Sequence, residues 1–170
     1  GPAMYDATRW LIEEQGYRKL GFIGVPDDLP PGPRRFRGFQ QAVADAGLTI
    51  DPKHIISSDF TLDGGKRAAQ QLLEVGDLPS ALVVLNDLMA IGAILTLTDA
   101  GCCIPDDIAV LGFDDIMEAT IVRPALTTIA QDSYDIGQKL SHLLFERIEN
   151  PSLPPRRLES PLTLIKRGSA

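Results

Sequence analysis

The run Ala81-Leu82-Val83-Val84-Leu85 passes at once into Asn86-Asp87 and then into Ala90, Ile91, Ile94 and Leu97. An unbroken apolar run of this length reads as a strand buried on both faces, and apolar residues three and four apart read as one face of a helix. Asp87 can cap the start of that helix, and Gly101 is its stop signal. A buried strand that turns through two polar residues into a helix is the repeating unit of a parallel sheet.

The same unit recurs on both sides. Leu20 to Val25 is a strand ending at Pro26, and Phe36, Phe39, Val43 and Ala46 mark one face of a helix that stops at Gly47. His54-Ile55-Ile56-Ser57 is a second strand. Asp63 to Val75 is a helix with Ala69, Leu72 and Leu73 inward and Gly76 as its stop. Downstream, Ile108 to Phe113 is a fourth strand and Leu126 to Ile129 a fifth. Asp132 to Asn150 is a long helix striped with Ile136, Leu140, Leu143, Leu144 and Ile148; prolines at 151, 154 and 155 end it before a last strand, Leu162 to Ile165. Ala3 to Gln15, stopped by Gly16, is a helix at the head of the chain. This alternation predicts an α/β domain, a doubly wound parallel sheet with helices on both faces. A helix with no strand before it, and a late helix with a wide apolar stripe, predict an incomplete molecule. The helix over 132–150 either covers this sheet or belongs to a neighbouring, absent lobe.

Composition excludes several classes. With 170 residues, 44% hydrophobic and 23% charged, the chain is long and apolar enough to bury a real core. Its apolar runs are too short to cross a bilayer, and no basic n-region precedes an apolar stretch, so neither a membrane protein nor a secreted precursor is expected. The balance of 16 basic against 23 acidic residues, a net charge of -7, argues against this chain itself holding a nucleic-acid backbone. The two cysteines are neighbours, Cys102 and Cys103, which suits packing in the turn after a helix and a reducing, cytoplasmic setting rather than a disulfide scaffold.

Ligands of an open parallel sheet bind beyond the carboxyl ends of its strands. The residues following the strands are Arg34 and Arg35, then Asp59-Phe60, Asn86-Asp87, Asp114-Asp115 and Gln131. These mixed donors and acceptors suit a neutral polyhydroxyl ligand. A carboxylate such as Asp114 accepts from adjacent hydroxyls, Asn86 donates and accepts, Arg35 offers a two-pronged donor, and Phe60 can cover the C–H face of a sugar ring. The bland readings are equally concrete: Asp87 and Asp115 as caps, Asn86 and Asp114 as turn residues, and one of the two arginines paired on the surface. Catalytic and cofactor signatures are missing. No GxGxxG or GxxxxGK[ST] follows a strand, no HExxH or GxSxG occurs, and His54 and His142 stand apart. The pairs Asp106-Asp107 and Asp114-Asp115 are explained by capping and turn formation. No cofactor, no metal site and no enzymatic activity are expected.

Jointly, Arg35-Phe36-Arg37-Gly38-Phe39, Asn86 through Gly92, Ile104 through Asp115, Pro124 through Ile129 and Leu164-Ile165-Lys166-Arg167 resemble the successive signatures of the lactose-repressor (LacI/GalR) family. The resemblance covers nearly the whole chain. It implies a transcription regulator with a helix-turn-helix headpiece and a two-lobed core like that of periplasmic sugar-binding proteins. Residues 1–130 then form the C-terminal lobe, 131–155 the crossover and a helix that packs on the N-terminal lobe, and 156–170 the returning strand. Effector contacts carried over by position fall on Arg35, Phe60, Asn86, Asp114 and, near the lobe crossing, Gln131. Pro30, Pro31 and Pro33 depart from the serine usual before Arg35, and Ser133 stands where some members carry an aromatic. The implied partners are a small-molecule effector (a carbohydrate before a purine or nucleoside), a second copy of the chain, and DNA through the headpiece only. Dimerisation would use the helix containing Leu88, Ile91 and Gly92, the helix near Leu62 and Lys66, and Ile121-Val122. A sugar-transport binding protein shares this architecture and is the alternative.

Overall fold

The computed structural model describes residues 1–25, 29–158 and 160–170. Pro26, read as the end of the first strand, lies outside them. In chain order the elements are α1 (Pro2–Glu13), β1 (Leu20–Gly24), α2 (Gly32–Asp45), a 3-10 turn (Pro52–His54), β2 (Ile55–Ser57), α3 (Leu62–Val75), β3 (Ala81–Val84) and α4 (Asp87–Asp99). They continue with β4 (Ala109–Asp114), α5 (Glu118–Ile121), β5 (Thr127–Gln131), α6 (Ser133–Glu149) and β6 (Leu162–Ile165). One six-stranded sheet has the order β2-β1-β3-β4-β5-β6. Its first five strands are parallel, and β6 returns antiparallel against β5, pairing Ile129 with Leu164.

Strands β1, β3 and β4 are apolar and buried along almost their whole length, which requires cover on both faces. Right-handed crossovers supply it. The step from β1 to β2 runs one way along the sheet and all later parallel steps run the other, so α2, with α1 against it, lies on one face and α3 and α4 on the other. Phe22 fixes the first face, its ring centroid 4.9 Å from Phe36 and 5.1 Å from Phe39. On the second face α3 and α4 approach until side chains are excluded. A Cβ on Gly65 would lie 2.1 Å from the Met89 carbonyl oxygen, and one on Gly92 would lie 2.1 Å from that of Leu62.

Several sequence expectations shift in detail. His54 belongs to the 3-10 turn rather than to β2, and its buried Nε2 sits 2.5 Å from the Asp77 carbonyl oxygen. Ala46 is exposed beyond the end of α2, and Ala42 takes the inward position. Leu73 is only partly covered. The cap of α4 is Asn86, whose Oδ1 accepts from the Met89 N–H at 2.9 Å; Asp87 is the first helical residue and is fully buried. Gly76 does close α3, with φ 72°, a left-handed conformation that side chains resist. Cys102 and Cys103 are free thiols in the turn after α4. The four-residue helix α5 carries too short a pattern to be read from sequence. None of the 17 residues of α6 is buried, and Leu140, Leu144, Phe145 and Ile148 are exposed, so this helix does not cover the sheet.

Candidate functional site

The strand order reverses at β1: the chain leaves it toward β2 and comes back to β3 on its other side. At such a switch point the two connecting loops diverge onto opposite faces and leave a crevice at the carboxyl edge. Arg35, in the first turns of α2, reaches across that crevice. Its Nη1 donates to the Leu85 carbonyl at 2.6 Å, just past the end of β3, and its Nη2 donates to Asp114 Oδ1 at 3.3 Å. The guanidinium carbon lies 3.4 Å from the ring centroid of Phe113, so the cation rests on an aromatic face.

Asp114 ends β4 opposite Ala130 of β5, which brings Gln131 within reach; Gln131 Nε2 donates to the same Oδ1 at 2.8 Å. Asn86 spends both ends of its amide locally, Oδ1 on the α4 cap and Nδ2 on the Phe60 carbonyl at 3.0 Å. All five residues singled out in the sequence therefore join one connected chain. Phe60 is tied to Asn86, Asn86 adjoins Leu85, the Leu85 carbonyl accepts from Arg35, and Asp114 accepts from both Arg35 and Gln131. Three residues of this edge hold positive φ without being glycine, namely Phe60 (66°), Asp114 (122°) and Asp115 (57°). Such backbone costs on the order of 1–3 kcal/mol at each position and collects where function requires it.

Burial governs the charges. The side chains of Arg35 and Asp114 are 11% and 25% exposed. Desolvation lowers the Arg35 pKa against the pull of Asp114, and it raises that of Asp114 against the pull of Arg35. The pair thus cancels its charge within the site, while Asp114 Oδ2 accepts no hydrogen bond among the described residues. The other strand-end acids are committed elsewhere. Asp59 accepts from the N–H and hydroxyl of Thr61 and pairs with Arg67, and Asp115 pairs with Arg167 at 2.6 Å. Arg34, beside Arg35, is exposed.

Sequence reasoning missed the role of Asp87. Its Oδ1 accepts from Thr128 Oγ1 of β5 at 2.6 Å, and its Oδ2 accepts from the Ile116 N–H at 3.0 Å. One carboxylate beneath the site thereby holds α4, β5 and the turn after Asp114. The only sequence trace of this is Gly112, where a Cβ would lie 2.2 Å from Asp87 Oδ1.

A mostly parallel six-stranded sheet with polar residues gathered at its switch point has the architecture of periplasmic-binding-protein-like domains. A family model described as a periplasmic binding protein-like domain matches residues 11–170, and the chain belongs to that family. Within it the chain groups with the LacI/GalR regulators. It is 35% identical over 167 residues to the HTH-type transcriptional repressor CytR of Escherichia coli K12, covering 98% of this chain and 49% of that one. It is 38% identical over 164 residues to the ribose operon repressor of the same organism, covering 96% and 49%. A solved complex of the transcriptional regulator CelR with cellobiose superposes with a TM-score of 0.91 at 33% identity, over 98% of this chain and 51% of that one. The chain thus spans about half the length of the relatives it matches. No helix among the described residues is long and apolar enough to cross a membrane.

Proposed function

We propose that this chain is the effector-binding and dimerising portion of a LacI/GalR-type transcription regulator that acts in the cytoplasm, and that it binds its ligand without catalysing a reaction. Residues 1–130 and 156–170 form one lobe, and the 131–155 segment carries α6 toward a second lobe of the full-length protein. DNA is held by a helix-turn-helix headpiece of that protein. The named relatives are transcriptional repressors, which supports this reading over a transport binding protein.

The observation that carries the proposal is the mutually neutralised Arg35–Asp114 pair at the switch point, where Asp114 Oδ2 accepts no hydrogen bond among the described residues. An internally neutral site with a free acceptor, spare guanidinium N–H groups and a half-buried Phe60 beside it suits an uncharged, hydroxyl-rich effector. A carbohydrate fits this description best and a nucleoside less well; the structural relative's cellobiose is of the first kind. Arg35, Phe60, Asn86, Asp114 and Gln131 form the face toward the effector. Dimerisation uses the outer side of α4 and the adjoining α5, where Leu88, Leu95, Met117 and Ile121 are exposed; Ile91 and Gly92 of α4 are buried and face inward. Effector and operator then shift each other's affinity by one common factor, because their coupling is a single free energy.

The test uses the full-length protein. Neutral sugars and nucleosides are screened by thermal shift and the responders measured by calorimetry, in wild type and Asp114→Asn. Loss of a hydrogen bond to a charged acceptor lowers affinity about 10- to 100-fold, while light scattering still gives the dimer mass. Unchanged affinity removes Asp114 from the site. An upstream reading frame encoding a signal peptide in place of a DNA headpiece removes the regulator.

A further inference from the structure

Asp114 Oδ1 is approached from two elements at once. Arg35 Nη2 comes from α2 at 3.3 Å and Gln131 Nε2 from β5 at 2.8 Å, while Oδ2 is free among the described residues. A carboxylate whose two oxygens are equally free can rotate about its last bond and share an incoming hydroxyl between them. Two donors converging on one oxygen stop that rotation and make the other oxygen the fixed acceptor.

We propose that Gln131 is a positioning residue of the effector site. It and Arg35 clamp Oδ1 so that Asp114 meets the effector through Oδ2 alone. This rests on the reading of Asp114 as an effector contact and adds to the place of Gln131 on the effector face a second role, exerted through Asp114. The chain's register enforces it. Asp114 pairs with Ala130, so the side chain one residue later leaves the strand end level with the carboxylate, before Asp132 caps α6 by accepting from the Asp135 N–H at 2.8 Å. Arg35 alone cannot fix the carboxylate equally well, since its guanidinium is shared with the Leu85 carbonyl at the shorter distance of 2.6 Å.

The carboxyl group of Asp114 reports the clamp without any effector. Its ionisation is governed by burial, by Arg35 on α2 and by Asp87 on α4; Asp115, its neighbour, is held by Arg167. In a carboxyl-carbon NMR titration of the isotope-labelled chain, Gln131→Met keeps the side-chain length and removes the donor. The Asp114 midpoint rises by about one pH unit, tenfold in its dissociation constant, because a hydrogen bond to the charged form is lost. Gln131→Lys restores a donor of similar reach with a positive charge, and the midpoint falls below that of the wild type. A merely structural residue would disturb amide shifts and stability in both variants without moving the midpoint in opposite directions. An Asp114 midpoint unchanged in the Met variant, or shifted the same way in both, overturns the proposal. Since no effector enters the experiment, its failure leaves the effector reading standing, and a failed effector screen leaves the clamp standing.

Discussion

Replacing Asp87 tests the physical basis of the site most directly. This carboxylate is fully buried, and it holds the Thr128 hydroxyl at 2.6 Å and the Ile116 N–H at 3.0 Å. Asp87→Leu keeps the approximate shape and strands both donors, at about 1–3 kcal/mol each. Part of this is offset by the apolar surface that leucine buries, which leaves a loss of about 3 kcal/mol in urea unfolding at pH 7. For a chain of this size each kcal/mol moves Tm by about 2–4 °C, so the variant melts about 6–12 °C lower. Asp87→Asn retains an acceptor for Ile116 and can donate to Thr128, so it loses much less. The pH dependence carries a definite sign. Burial raises the pKa of Asp87 above its ordinary value of 3.8, so the folded chain holds this proton more tightly than the unfolded one. Stability from the group is therefore complete below the unfolded value and is lost as pH rises through the raised one. The advantage of wild type over Asp87→Asn must then be larger at pH 4 than at pH 7. A leucine variant within about 0.5 kcal/mol of wild type refutes the pinning argument, and a wild-type advantage that grows with pH refutes the burial argument.

Other outcomes follow from packing. Gly65→Ala sets a methyl 2.1 Å from the Met89 carbonyl oxygen, so α3 and α4 must separate; urea midpoints should show a loss of about 1–3 kcal/mol. Ser169, fully buried near the end of the chain, donates to the Val110 carbonyl at 2.6 Å and accepts from the Thr127 N–H at 2.8 Å. Ser169→Ala should cost about 1–3 kcal/mol by the same assay, since both backbone groups lose their partner. The exposed α6 face predicts the reverse: Leu140→Glu combined with Leu144→Glu should leave the unfolding free energy of this chain within about 0.5 kcal/mol of wild type. A large loss there would mean that the stripe is covered in solution.

The sequence by itself determined the alternation of strand and helix, the stops at glycines such as Gly76, and the set of polar residues that follow the strands at the carboxyl edge, from which the family resemblance picked out five. Each of these depends on local periodicity, on backbone conformations few residues tolerate, or on covalent order, so each is written within a short window of chain. The residues at strand ends follow from one rule of parallel sheets, that loops after strands all emerge on one edge. It also held the uncovered stripe on α6, since an amphipathic pattern is present whether or not a partner is.

Only the tertiary structure decided what each polar atom does. Asp87 is the cap expected from the sequence, with Asn86 as a turn residue, and the structure makes Asn86 the cap. The choice fell to Asn86 because Asp87, at the first helical position, meets Thr128 and Ile116 from segments far along the chain. Arg35 finds Asp114 across 79 residues of sequence, and Asp115 finds Arg167 across 52. Those meetings exist because β4 lies between β3 and β5, and because α2 enters at the point where the sheet's order reverses. Hydrogen-bond partnership is a matter of distances below about 3.5 Å, and sheet order, not sequence spacing, sets distances of that kind between remote residues.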